Sequence, residues 1–232
     1  MRTGIVIAAA VAGMAAVAGA AYRAVVYPSA PAVRPGKIKV AAIGDSNTFG
    51  AGVLFDSRGR NSYPAQLEQL LGPSYQVLNY GLNGRTLLSS GDHPYDDERF
   101  HDLSRDVAPD VVLIMLGTND TKPWNWDAAA YEEQLRAFVA WHVDGPGRPR
   151  VYLLTPPAAY PNRFGIDPAI VETQIVPIVE RVALASDVPV IDVRTATAGH
   201  PGLFRDGVHP NAQGYRLVAE AVAAALKAQL NA

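Results

Sequence analysis

Six consecutive apolar residues, Val111 to Leu116 (VVLIML), place the strongest limit on how this chain folds. A run of that length, rich in β-branched side chains and stopped by Gly117, reads as a strand covered on both faces. A sheet sandwiched between two helical layers buries such a strand. Four further short apolar runs fit the same sheet: Lys37 to Ile43, Tyr75 to Asn79, Val151 to Thr155 and Val188 to Val193. Helical patterns lie between and after them. Tyr63 to Leu71 has Pro64 suited to a first turn, and the polar segment Arg85 to Ser104 ends in helical spacing before Pro109. Asp127 to His142 is amphipathic with Asp127 near its N-cap, and Ala212 to Leu230 closes the chain. Pro168 to Ser186 contains Pro177, which predicts a kink or break. This alternation predicts a three-layer α/β/α sandwich around a five-stranded parallel sheet, joined by right-handed crossovers, in one domain over residues 37–232.

The N-terminus has a different character. Residues 4–21 carry no charge, and nine of these 18 are alanine. Arg2 and the amino terminus supply positive charge ahead of the run, and Ala18-Gly19-Ala20 offers a small-x-small cleavage pattern. Residues 1–21 therefore read as a signal peptide, or, uncleaved, as a membrane anchor near the lower length limit for a span. The weak hydrophobicity of an Ala/Gly run favours export with cleavage. Both readings put the folded part outside the cytoplasm, in the periplasm or extracellular space. Residues 22–36, with Pro28, Pro31 and Pro35, read as a linker. A formal charge of −2 with mixed signs gives no basic face for nucleic acid. The absence of cysteine excludes disulfide and thiolate chemistry, and with no HExxH motif the sequence calls for no metal and no cofactor.

Parallel sheets collect ligands at the carboxyl ends of their strands. Gly44-Asp45-Ser46-Asn47-Thr48 stands at the first such end. A serine there fits a nucleophile held on a tight turn, and it equally fits a helix cap. Near the C-terminus, Asp206-Gly207-Val208-His209-Pro210 puts a carboxylate three residues before an imidazole. That spacing lets Asp206 hold one ring nitrogen while the other faces a nucleophile, although a simple turn bond has the same spacing. His93, His101, His142 and His200 lack such a partner and read as surface or loop residues. Ester cleavage also needs donors for a developing oxyanion. The candidates are the Ser46 N–H, a glycine N–H within Gly81-Leu82-Asn83-Gly84, and the side-chain amide of Asn119 in Gly117-Thr118-Asn119-Asp120. Asp45 and Asp120, each beside a candidate, read foremost as stabilisers of their own turns, and alternatively as supports of the adjacent candidate through bonds from nearby backbone N–H groups.

GDSNT, NYGLNG, GTND and DGVHP, in that order over Gly44 to Pro210, resemble the SGNH hydrolases, also called GDSL esterases. The resemblance implies a flavodoxin-like α/β fold. It also implies Ser46 as nucleophile, His209 as general base and Asp206 as its orienter. The implied oxyanion donors are Ser46 N–H, Gly84 N–H and Asn119, with Gly84 preferred to Gly81 because the family's glycine closes its block. Asn47 stands where leucine is usual. The short core and expected export look most like the carbohydrate O-acetylesterase branch, which implies a small-molecule or glycan ester as substrate. Lysophospholipase or thioesterase activity on longer acyl chains is the alternative within the class. Outside it stand a non-catalytic binding protein and a nucleotide or FMN binder using GDSNTFGAG. For the substrate wall the sequence offers Trp124, Trp126 and Tyr160, with Phe164 nearby, as flat faces for a sugar or acyl group or as packing anchors. Arg85 and Arg163 could contact an anionic group, but as single loop arginines they read foremost as solvated.

Overall fold

The computed structural model describes residues 25–54 and 57–230. Five strands, β1 (Ile38–Gly44), β2 (Tyr75–Gly81), β3 (Val111–Met115), β4 (Arg150–Leu154) and β5 (Val190–Ile191), form one sheet in the order β2-β1-β3-β4-β5. All neighbouring pairs are parallel. The strand order reverses direction between β1 and β3, and a crevice opens at their carboxyl ends in sheets of this kind.

Alternation along the strands builds two cores. Ala41, Ile43, Val112, Ile114, Val151 and Leu153 face one layer, made by α3 (Arg99–Asp106), α4 (Ala128–Val143) and α5 (Val176–Ala185). Val40, Ala42, Leu113, Met115, Tyr152 and Leu154 face the other, where α2 (Tyr63–Leu71) and α6 (Ala212–Leu230) pack. This is why VVLIML carries no polar residue: both of its faces are closed. Asp127 caps α4 as expected, accepting from the N–H groups of Ala129 and Ala130 at 3.0 Å each.

Two elements depart from the expected pattern for local reasons. At Pro177 the helix does not break, and the change lies instead in its hydrogen-bonding just ahead of the proline. A one-turn α-helix (Pro168–Ile170) runs through a π-helical stretch (Val171–Ile175) into α5. Proline lacks an N–H and crowds the preceding turn, and the wider π turn accommodates it. Strand β5 has two residues instead of six, because the Asp192 side chain accepts from Thr195 N–H at 2.9 Å and starts a short helix (Val193–Thr197).

The expected leader, residues 1–21, lies outside the described residues. Part of the expected linker is fastened to the sheet. Gln76 donates from Nε2 to the Ala32 carbonyl and accepts from Arg34 N–H, both at 2.7 Å, while Arg34 pairs with Glu68 at 2.8 Å. Residues 31–36 thus belong to the same compact unit as the sheet. Among the described residues no helix is long and apolar enough to cross a membrane.

Candidate active site

Strand β1 delivers the chain into a single helical turn, α1 (Ser46–Phe49). The side chain that caps this turn is Asp45, which accepts from Asn47 N–H at 2.8 Å. Ser46 is thus relieved of capping, and its hydroxyl points elsewhere: Oγ lies 2.8 Å from His209 Nε2. As first residue of the turn, Ser46 has an N–H with no intrahelical acceptor.

His209 sits just ahead of α6, in a loop that Asp206 organises. One Asp206 oxygen accepts from the N–H groups of Val208 (3.0 Å) and His209 (2.8 Å). The other lies 2.7 Å from His209 Nδ1. The local turn bond and the imidazole bond, alternatives in the sequence, coexist on the two oxygens of one carboxylate. Partial burial works against the charge on Asp206, but the bonds from His209 and Val208 hold it below the usual carboxylate range. Tyr160 N–H donates to the Gly207 carbonyl at 2.8 Å and ties this loop to the one after β4.

The glycine-rich loop after β2 divides its work. At Gly81 a Cβ would stand 2.1 Å from the Phe49 nitrogen, so α1 rests directly on β2. Gly81 N–H is already engaged, donating to Asn79 Oδ1 at 2.9 Å, and Asn79 Nδ2 donates to the Thr48 carbonyl at 3.0 Å. Gly84 has φ of +77° and open space around its α-carbon, the nearest atom to a Cβ being His93 Cδ2 at 3.9 Å. Among the described residues no acceptor meets its N–H. Asn119 reaches this loop from the end of β3, donating from Nδ2 to the carbonyl of Arg85 at 3.1 Å. An amide nitrogen carries two hydrogens, so the second is left for another acceptor.

The two aspartates beside these groups act over different ranges. Asp45 stabilises its own turn, as expected, and also bonds the Thr118 side chain of the next loop; burial pushes its carboxyl up to about 6. Asp120 does not act on its own turn alone. It accepts from the N–H groups of Leu87 (3.1 Å) and Leu88 (2.8 Å), so that the Asn119 loop and the Gly84 loop are bolted together. It is fully buried, and burial pushes it up to about 7 despite those bonds. This tie was not legible in the sequence, because the partners lie 32 and 33 residues away. Asn79 was also missed; its only signal is its place at the head of NYGLNG.

The aromatic residues separate by environment. Trp126 packs on Tyr131 with ring centroids 5.5 Å apart and donates from Nε1 to Gln174 at 3.0 Å. The Tyr160 hydroxyl donates to the Thr197 carbonyl (3.2 Å) and accepts from His200 N–H (3.1 Å), and its ring lies against Phe204. Both have the contacts of packing anchors. Phe164 stands edge-on to the His209 ring at 5.5 Å, and Trp124 remains 65% exposed. Arg85 is buried rather than solvated: its guanidinium pairs with Glu98 and donates to the Asn83 carbonyl at 2.7 Å.

A hydroxyl, an imidazole and a carboxylate in series can carry out acyl transfer. Among the described residues no group of His, Asp and Glu side chains is arranged to hold a metal ion.

The model of the GDSL-like lipase/acylhydrolase family matches residues 42–217. An acetylxylan esterase of Xylanibacter ruminicola is 34% identical over 218 residues, covering 86% of this chain and 45% of that protein. The chain spans less than half the length of the curated relatives it matches. Among solved structures, a lipase/acylhydrolase from Enterococcus faecalis superposes with a TM-score of 0.65 at 24% identity, covering 82% of this chain and 96% of that one. A carbohydrate acetylesterase from Sinorhizobium meliloti gives 0.62 at 23%, covering 83% and 100%. At such identities the structural likeness is one of fold.

Proposed function

The chain belongs to the GDSL-like lipase/acylhydrolase family, and from that premise we propose that it is a serine esterase that removes acetyl groups from a carbohydrate. The observation that carries the reading is the unbroken series Ser46 Oγ, His209 Nε2, His209 Nδ1, Asp206 Oδ2, with steps of 2.8 Å and 2.7 Å on either side of the imidazole.

In the first half-reaction the Ser46 oxygen attacks the ester carbonyl as its proton passes to His209 Nε2. The carbonyl oxygen takes the negative charge. Ser46 N–H, Gly84 N–H and the free amide hydrogen of Asn119 receive it. The intermediate collapses by breaking the bond to the sugar oxygen, which collects the proton from Nε2 and leaves as an alcohol. In the second half-reaction water gives a proton to Nε2 while its oxygen attacks the acetyl-Ser46 carbonyl. Collapse returns the Ser46 hydroxyl and releases acetate. Asp206 keeps Nδ1 protonated throughout and stabilises the transient imidazolium, without taking the proton itself.

The carbohydrate assignment is supported by the name of the acetylxylan esterase relative and by the carbohydrate acetylesterase among the solved structures. The charge-free segment after Arg2 supports export, where such glycans are met. A panel of acetylated oligosaccharides and acyl esters of graded chain length tests the reading, with Ser46→Ala as control. Acetyl esters are expected to be cleaved fastest and Ser46→Ala to be inert. Preference for long acyl chains would move the assignment to a lysophospholipase or thioesterase, and undiminished activity in Ser46→Ala would end the serine mechanism.

A further inference from the structure

Trp124 is the most exposed tryptophan described, yet it is held in place from below. Its indole N–H donates to Asp92 Oδ2 at 3.2 Å. The same carboxylate oxygen receives Lys122 Nζ at 3.0 Å, and Oδ1 receives Asn125 Nδ2 at 3.0 Å. Asp92 N–H in turn donates to Asn125 Oδ1 at 3.0 Å. Lys122 is 11% exposed, and its ammonium lies 5.8 Å from the indole centroid. The edge of the ring rests on Gly165, where a Cβ would stand 3.3 Å from Cη2. Three loops, those after β2, β3 and β4, meet at this one side chain. A tryptophan that only filled space would be covered; one left open while its N–H is fixed is a flat face with little freedom left to lose on binding.

Its position follows from its neighbours. Asp92 precedes His93, which borders Gly84 on the oxyanion side. Gly165 follows Phe164, which stands against His209. His209 returns its proton to the leaving oxygen, so the alcohol part of the ester must lie on the His209 side. The geometry points to Trp124, locked by Asp92 and Lys122, as the platform on which the sugar ring of the leaving alcohol stacks, making it the residue that selects carbohydrate esters over simple ones. This rests on the proposed esterase activity and names the subsite that supplies its substrate class.

The test compares kcat/KM on an acetylated xylo-oligosaccharide with kcat/KM on ethyl acetate, whose alcohol has no ring. Trp124→Ala is expected to lower the oligosaccharide-to-ethyl-acetate ratio about tenfold or more, chiefly through KM, as truncation of a tryptophan anchor does at other interfaces. Trp124→Phe, which keeps a flat face without the N–H bond, is expected to fall between wild type and alanine. In the Ser46→Ala background, deacetylated xylo-oligosaccharide is expected to quench tryptophan fluorescence, and Trp124→Phe to abolish the quench. An unchanged ratio, or an equal loss on both esters, would overturn the platform, as would a quench that survives the substitution. Wild-type protein inert on both esters would instead sink the esterase reading. Wild type active on ethyl acetate but not on the oligosaccharide would retain the esterase and remove the sugar platform.

Discussion

Replacing His142 with leucine tests how far an unpartnered polar group has been tolerated away from the chemistry. His142 lies on the inner face of α4, 1% exposed, between Phe138 and His101. Neither ring nitrogen has a hydrogen-bond partner among the described residues. Burial, aided by the nearby charges of His101 and Arg105, lowers its pKa from 6.5 to about 3. A depressed histidine contributes no penalty above its unfolded pKa and becomes a liability as pH falls towards the folded value, because only the unfolded chain takes up the proton. Between pH 8 and pH 5 the two pKa values correspond to a loss of about 2 kcal/mol. Asp45 and Asp120 titrate in the opposite sense. Their raised values mean that the folded state holds protons that the unfolded state has released, so their penalty grows as pH rises towards 6 and 7. The wild-type profile therefore mixes opposing trends, and the difference between His142→Leu and wild type isolates the histidine. Urea unfolding at pH 5, 6, 7 and 8 is the assay. The variant is expected to be the more stable at every pH, because two unpaired nitrogens leave the core. Its advantage is expected to be larger by about 2 kcal/mol at pH 5 than at pH 8. A difference that does not vary with pH would refute the argument, since it would mean that the imidazole finds a partner or water in the folded state.

The other predictions concern the site. Asn119→Ala is expected to lower kcat by about 10²–10³ with little change in KM, because its free hydrogen is needed only as charge develops on the substrate oxygen; a change confined to KM, measured by steady-state kinetics, would remove it from the oxyanion cluster. Asp206→Asn is expected to cost about 10³–10⁴ in kcat, since an amide facing Nδ1 favours the wrong tautomer, and circular dichroism should show the fold retained. Gly81→Ala and Gly84→Ala should differ in kind: the first drives a Cβ to 2.1 Å from backbone and is expected to unfold the α1 contact, with a marked fall in Tm. The second meets open space and is expected to cost about 1–2 kcal/mol for its left-handed backbone.

What the sequence disclosed and what it withheld follow from the range of the interactions. VVLIML, the helix Tyr63–Leu71 and the cap at Asp127 were legible because each depends on neighbours a few residues away. The Asp206–His209 pair was legible for the same reason, being a three-residue loop contact. Arg85 was misread as solvated because its partner, Glu98, is 13 residues on in a segment without strong periodicity. Asp120 was read as a local turn residue because its acceptor oxygens are used across the crevice. β5 was read too long because Val188 to Val193 is apolar enough for six strand positions, while Asp192 within it starts a helix. The aromatics could not be sorted at all from sequence: Trp126 and Trp124 are two residues apart, and only the fold packs one, half-buried, against Tyr131 and leaves the other open.

Acyl transfer by this site requires Ser46 Oγ to be the atom that carries the acyl group. Treating the protein with a fluorophosphonate, digesting it and locating the adduct by mass spectrometry reads this directly. A single adduct on the peptide containing Ser46, formed at a rate that collapses in His209→Ala, is the result predicted. An adduct on any other side chain, or labelling of Ser46 that is indifferent to His209, would contradict it.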